Sequence, residues 1–286
     1  MLGYQQVLAA VDGSEASFHA LKEICGSASG RLTAVAVVQG EKEGRLAGTA
    51  VSPGTLSWES AERALTVAQE LAQARGVTLE RRVAVGRPEE VIVSLARAQG
   101  SDLIVVGRRG LGLPERVMMG SVTARIIGLS PVDVLVVPRH TRLALETLLV
   151  ATDGSRYSRQ AAWRAIQLAQ VAGGFLHVLT VLDIPPGFEQ EAPEVAAALR
   201  SGLEKLVAEV TGQAEDLKVK ARGWVRQGPA YQEVVKLAQE LPAHLLIMGS
   251  HGRTGLKRLL MGSVTERVIG HAPCPVLVVK KGSGSR

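Results

Sequence analysis

The sequence predicts an α/β fold of two doubly wound domains in tandem, each with a five-stranded parallel sheet. Three observations carry this reading. Short apolar runs alternate with helical patterns along the whole chain. The runs are apolar at consecutive positions, as in Leu103-Ile-Val-Val106, which suits strands buried on both faces of a parallel sheet. The whole arrangement then occurs a second time, at an offset of 141 to 142 residues.

Strand one is Gln6-Val-Leu-Ala-Ala-Val11, ending at Asp12-Gly13-Ser14. Asp12 or Ser14 can cap the helix expected over 15–27. Strand two runs from Leu32 to Val38, and residues 39–54 read as a Gly-, Ser- and Pro-containing loop. The apolar positions Ala61, Ala64, Leu65, Ala68, Leu71 and Ala72 keep helical spacing and predict a helix from Leu56 to Ala74. Strand three spans Val77 to Val85. Gly86-Arg-Pro88 makes a turn, and Pro88 suits the first turn of a helix reaching Ala98. Strand four is Leu103 to Val106. After it come Gly107-Arg-Arg-Gly110, nine further residues, and Gly120-Ser-Val-Thr123 at the start of a helix. Strand five is Val132 to Val137.

The second half repeats the order. Leu148-Leu-Val-Ala-Thr-Asp153-Gly-Ser155 mirrors strand one and its exit, and Gly228-Pro-Ala mirrors the later turn. Gly249-Ser-His-Gly252 is again followed by nine residues and then Gly262-Ser-Val-Thr265. Leu259 to Gly270 matches Val117 to Gly128 at eight of twelve positions, and Pro275 to Val279 mirrors strand five. The domains are expected at 1–138 and 145–281, joined by a short polar linker. The Gly/Ser-rich tail from Gly282 reads as disordered.

Each glycine stretch joins a buried strand to a helix start. Glycines let backbone approach a phosphate, the first N–H groups of a helix point at it, and Ser or Thr there can add hydroxyl donors. In an open doubly wound sheet, ligands sit beyond the carboxyl ends of the strands where the winding reverses. For the order 3-2-1-4-5 that point lies between strands one and four, where Asp12 meets Gly107 and Asp153 meets Gly249. A carboxylate there can accept from ribose hydroxyls or hold magnesium through water. Alternatively Asp12, Ser121 and Thr123 only cap their helices. If φ is positive at Gly120 and Gly262, any side chain there would be strained.

Composition narrows the classes. No run of about 18 uncharged apolar residues exists, so no membrane span is expected. The start of the chain lacks a basic region before an apolar one, which argues against a signal peptide. Cys25 and Cys274 stand at non-equivalent places in the two halves. They suggest neither a disulfide framework nor a metal site, and fit a reducing cytosol. Net charge is +6 and aromatics are 3% of residues, too few for a base-stacking platform. Nucleic acid is therefore not the expected partner, whereas the positive balance would assist capture of an anionic small molecule. No Gly-x4-Gly-Lys-[Ser/Thr] loop is present, and no Gly-x-Gly-x-x-Gly follows strand one. The six histidines show no metal-ligand spacing, and His177 reads as a packed core residue.

Asp-Gly-Ser after strand one and Gly-x-x-Gly-x9-Gly-Ser after strand four resemble the universal stress protein family. His271-Ala-Pro-Cys-Pro-Val-Leu-Val-Val resembles that family's last strand, and the resemblance covers both halves. It implies two flavodoxin-like domains of order 3-2-1-4-5 and, with the full glycine motif, ATP binding. Carried over by position, Asp12 and Asp153 would meet ribose or magnesium, and Val37 and Val181 would line the adenine. Gly107, Arg109, Gly110, Gly120, Ser121, Val122 and Thr123 would hold ribose and phosphates in the first half. Gly249, His251, Gly252, Gly262, Ser263, Val264 and Thr265 would do so in the second. The first half departs at Arg108-Arg109, where the second has Ser250-His251, at Pro114 against Leu256, and at Asp133 against Pro275. Arg108 is expected to project into solvent.

The resulting functional expectation is an ATP-binding stress-response or regulatory protein without catalytic residues of its own. The competing readings are a slow ATP hydrolase or adenylating enzyme on the same scaffold, with His251 the one base in view, and a pure interaction module. The two fifth strands are apolar sheet edges in this order and are expected to pair with each other, antiparallel about a pseudo-twofold axis, within one chain; the resemblance implies the same mode for dimers of single-domain members. Further homodimerisation is left open.

Overall fold

The computed structural model describes residues 2–27, 30–38, 56–111, 119–252 and 261–280. The expectations for the 39–54 loop, for Pro114 and Leu256, and for the tail from Gly282 fall outside these residues.

The chain divides into two compact units, Met1–Thr141 and Arg142–Arg286. In the first, β1 (Gln6–Ala10), α1 (Glu15–Cys25), β2 (Arg31–Val38), α2 (Trp58–Gln73), β3 (Leu79–Val85) and α3 (Pro88–Ala98) come in turn. They are followed by β4 (Leu103–Gly107), α4 (Ser121–Leu129) and β5 (Asp133–Val137). The strands pair in parallel in the order β3-β2-β1-β4-β5. Helix α1 packs beside α2, and α3 beside α4, the two helical layers of a doubly wound sheet.

The second unit opens with β6 (Thr147–Ala151), α5 (Arg156–Ala172), β7 (Phe175–Leu182), the short α6 (Phe188–Glu191) and the long α7 (Pro193–Asp216). It continues with β8 (Ala221–Gln227), α8 (Ala230–Glu240), β9 (Leu245–Gly249), α9 (Ser263–His271) and β10 (Val276–Val279). Its parallel order is β8-β7-β6-β9-β10. Both units thus have the expected order 3-2-1-4-5. Residues of β4, β5, β9 and β10 are buried throughout, as their unbroken apolar runs require.

Boundaries shift where caps intervene. Leu56 bridges to Val38 instead of opening α2, and Ser57 is the N-cap, its hydroxyl accepting from the Ser60 N–H. Strand β3 starts at Leu79 because residues 74–77 finish α2: Gly76 has φ +67°, and the Val77 N–H returns to the Ala72 carbonyl. Asp133, the replacement for proline at the start of β5, is fully buried, and the Tyr4 hydroxyl donates to its Oδ2 at 2.7 Å. That bond lets a carboxylate stand inside the core.

Both cysteines are buried and free. Burial pushes the Cys274 thiol up to about 12, so it stays protonated and unreactive at neutral pH. His177 is a packed core residue, as expected, with one hydrogen bond that decides its charge. The Trp224 Nε1–H donates to its Nδ1 at 3.0 Å, which requires that nitrogen to be unprotonated. Burial first, and Arg222 second, lower its pKa below the ordinary histidine value. Unfolding therefore takes up a proton between the lowered folded pKa and the ordinary value of about 6.5. Stability from this group is complete above about pH 6.5 and declines as pH falls below it, with a slope of at most about 1.4 kcal/mol per pH unit. Denaturant melts of the parent and of His177→Gln across that window should show a shallower pH slope for the variant.

Among the described residues, no helix is long and apolar enough to cross a membrane.

Candidate functional site

In the first unit the site forms beyond the carboxyl ends of β1 and β4. Asp12 lies just past β1 and ties three groups together. Its Oδ1 accepts from the Ser14 N–H at 3.0 Å and the Ser14 hydroxyl at 2.6 Å. Its Oδ2 accepts from the Leu111 N–H at 2.9 Å, which pulls the glycine loop across the end of β1. The helix cap itself is Ser14, whose Oγ accepts from the Ser17 N–H. Of the alternatives for Asp12, the cap is excluded, and the carboxylate faces the loop. A Cβ on Gly110 would run into Asp12 Oδ2, so a side chain there would push the carboxylate off its bond to the Leu111 N–H.

The next glycines have different reasons. A Cβ on Gly107 would lie 2.8 Å from the Ala16 carbonyl carbon, so this glycine lets β4 close on α1. Gly120 is the N-cap of α4 with φ −70° and ψ 143°, a conformation open to any residue. Gly262, the N-cap of α9, has φ −66° and ψ 142°. The condition for backbone strain at these two positions is therefore not met. Glycine has no side chain, so neither N-cap residue supplies a hydrogen bond to the first N–H groups of its helix.

Ser121 and Thr123 are not caps, and Thr123 is not a free donor. Its buried hydroxyl donates to the Gly107 carbonyl at 3.0 Å, and Thr265 does the same to Gly249. Ser121 and Val122 are exposed, as are Ser263 and Val264. Arg108 does not project freely into solvent. It is half-buried, and burial, then the neighbouring Arg109, lowers its guanidinium pKa.

A cavity of about 310 Å³ gathers this set. Asp12, Gly107, Arg109, Gly110, Gly120, Ser121, Val122 and Thr123 line it, together with Val37 and Leu56 towards β2. Every residue expected at the first site therefore borders one space. Three more that sequence reasoning missed border it too: Arg87, Glu89 and Arg125. Glu89 stands in the first turn of α3 with its side chain only 4% exposed. Its Oε1 accepts from Arg125 on α4 at 2.9 Å and from Arg87 at 3.2 Å. Burial alone would raise its pKa, but the Glu89 backbone N–H and the Arg125 guanidinium outweigh it and hold the carboxyl below its usual range. An acid in a first helical turn is ordinary dipole chemistry, and no sequence spacing links positions 89 and 125.

The second unit repeats the frame. Ser155 caps α5, and Asp153 Oδ1 accepts from the Ser155 N–H at 3.0 Å. A Cβ on Gly252 would stand 2.8 Å from Asp153 Oδ2, and one on Gly249 would stand 2.7 Å from the Tyr157 carbonyl carbon. His251 packs on Tyr157 with ring centroids 5.3 Å apart, and its Nδ1 is 3.1 Å from Ser250 Oγ. Val181, on β7, is half-buried. Where the first unit has Glu89 and Arg125, this one has Tyr231 and Arg267, with the guanidinium 5.2 Å from the ring centroid.

The sequence and the fold are shared with known proteins. The sequence model of the universal stress protein family matches residues 3–138 and again 145–280. A universal stress protein of Mycolicibacterium smegmatis is 33% identical over 237 residues, covering 78% of this chain and 77% of that protein. One from Methanocaldococcus jannaschii is 37% identical over 138 residues, 47% of this chain and 81% of that protein. The crystal structure of a universal stress protein from Archaeoglobus fulgidus superposes with a TM-score of 0.70 over 97% of this chain and 98% of that one. At 23% identity it speaks for the fold alone. With matched sequence over both halves, the shared strand order and the same glycine frame at the end of each fourth strand, the chain belongs to the universal stress protein family and carries two of its domains in tandem.

Proposed function

We propose that each unit binds an adenine nucleotide, ATP, and that the protein is a cytosolic stress-response regulator governed by that nucleotide. The observation that carries this reading is the cavity of the first unit. It joins an uncapped helix start with glycine at the N-cap to a carboxylate across the switch point of the sheet. Phosphates would sit at the N–H groups that open α4, beside the Ser121 hydroxyl and Arg109. Ribose hydroxyls would donate to Asp12, and the base would lie against Val37. The second unit would use Asp153, Val181, His251, Gly262 and Ser263 in the same way.

Magnesium fits less well as a ligand of the protein. Among the described residues no three carboxylate, histidine or cysteine side chains cluster. Any magnesium would travel with the phosphates and reach Asp12 or Asp153 through water. The test is mass spectrometry of nucleotide released from the denatured purified protein, with titration calorimetry of the stripped chain. Adenine nucleotide and a stoichiometry above one per chain are expected. A stoichiometry of one removes the two-site reading, and no binding removes the function.

The same proposal includes antiparallel pairing of β5 with β10 inside one chain. Each strand ends the order of its own unit, and an apolar edge left unpaired invites association. Cysteines at Val134 and Leu277, in a chain lacking Cys25 and Cys274, should cross-link within a single chain. Failure to do so under oxidation would refute the pairing.

A further inference from the structure

We propose that Glu89 sets the charge selectivity of the first unit's nucleotide site, by pairing with the guanidiniums of Arg87 and Arg125 in the cavity wall and neutralising them. This rests on the nucleotide reading above. It starts from a buried carboxylate in the wall of an anion-binding cavity, where a negative charge by itself opposes the ligand. One oxygen of that carboxylate takes both arginines. Arg125 stands four residues after Ser121 on α4, on the same helix face and about 5–6 Å along it. Its side chain is 49% exposed and Arg87's is 63% exposed, so neither is packed in place; Glu89 orients Arg125 and shares Arg87 with Glu90. Arg87 is paired with Glu90 as well, at 2.8 Å.

The second unit shows the alternative. Pro229 and Tyr231 occupy the positions of Arg87 and Glu89. The tyrosine ring faces Arg267 without neutralising it. A neutral partner leaves the helix-borne arginine its full charge, whereas Glu89 cancels it. The first site therefore meets the phosphates through the α4 helix start and Arg109, and gains little from each additional phosphate.

The experiment uses the full chain carrying Gly262→Asp, which blocks the second site with a carboxylate at the cap of α9. Calorimetric titrations with AMP and ATP compare this parent with Glu89→Gln. Releasing the Arg125 guanidinium and removing one negative charge should tighten ATP by about tenfold and AMP by about threefold or less, so the preference for ATP rises. Adding Arg125→Gln to Glu89→Gln should return the preference to its starting value, which a merely structural role for Glu89 would not do. If Glu89→Gln fails to fold, the converse variant decides. Tyr231→Glu in a chain carrying Gly120→Asp should lower the second site's ATP preference severalfold. ATP binding with an unmoved preference overturns this inference alone. No ATP binding by the parent overturns the nucleotide reading and this inference with it.

Discussion

Gly120→Asp combined with Gly262→Asp should abolish ATP binding while making the protein more stable. Both glycines are N-caps with φ near −70° and ψ near 140°, the backbone that aspartate adopts when it caps a helix. A Cβ on Gly262 would meet His251 Cα at 3.5 Å, ordinary van der Waals contact. The new carboxylate would accept from the N–H groups of the first turn and would face the positive end of the helix. Cap and dipole together are worth about 0.5–1 kcal/mol per helix. That corresponds to a melting temperature higher by about 2–4 °C for domains of this size. The same carboxylate occupies the position proposed for phosphate and repels it, so affinity should fall by about a hundredfold or more. Calorimetry and thermal melts on one preparation check both halves. Retention of parental affinity would remove the helix starts from the site.

Gly107→Ala and Gly249→Ala should behave in the opposite way, losing stability before affinity. The motif places these glycines among the ligand-binding positions, but their added methyl groups would meet backbone. At Gly107 the Ala16 carbonyl carbon is 2.8 Å away. At Gly249 the Tyr157 carbonyl carbon is 2.7 Å and the Ser158 nitrogen 2.9 Å away. Backbone cannot rotate aside as a side chain can, so β4 must move off α1, or β9 off α5. Overpacking of this kind costs about 1–3 kcal/mol per site. Thermal melts should therefore drop by several degrees for each variant. ATP titrations at low temperature, where the fold persists, should stay within a few-fold of the parent. Unchanged melting with lost binding would return these glycines to a direct role at the ligand.

What the sequence determined by itself was the kind and order of the elements. Burial acts on every residue of a strand enclosed on both faces and on every third or fourth residue of a helix, so the local pattern of apolar residues records it. Leu103 to Val106 and the Ala61 to Ala72 spacing were legible for that reason, and the parallel order followed from strands that alternate with helices. The repeat of the glycine stretch at fixed spacing marked both candidate sites, because the residues of one loop and one helix start are neighbours in the chain. Tertiary structure alone decided which polar groups were already in use. Thr123 spends its proton on Gly107, sixteen residues away, and Asp12 takes the Leu111 N–H across ninety-nine. Tyr4 satisfies Asp133 and Trp224 satisfies His177, from elements with no local relation. Glu89 and Arg125 meet only because α3 and α4 pack on one another at the end of the sheet. A hydrogen bond needs its two atoms within about 3 Å. Periodicity fixes which face a residue turns to the core, but positions at that scale exist only once the helices are seated.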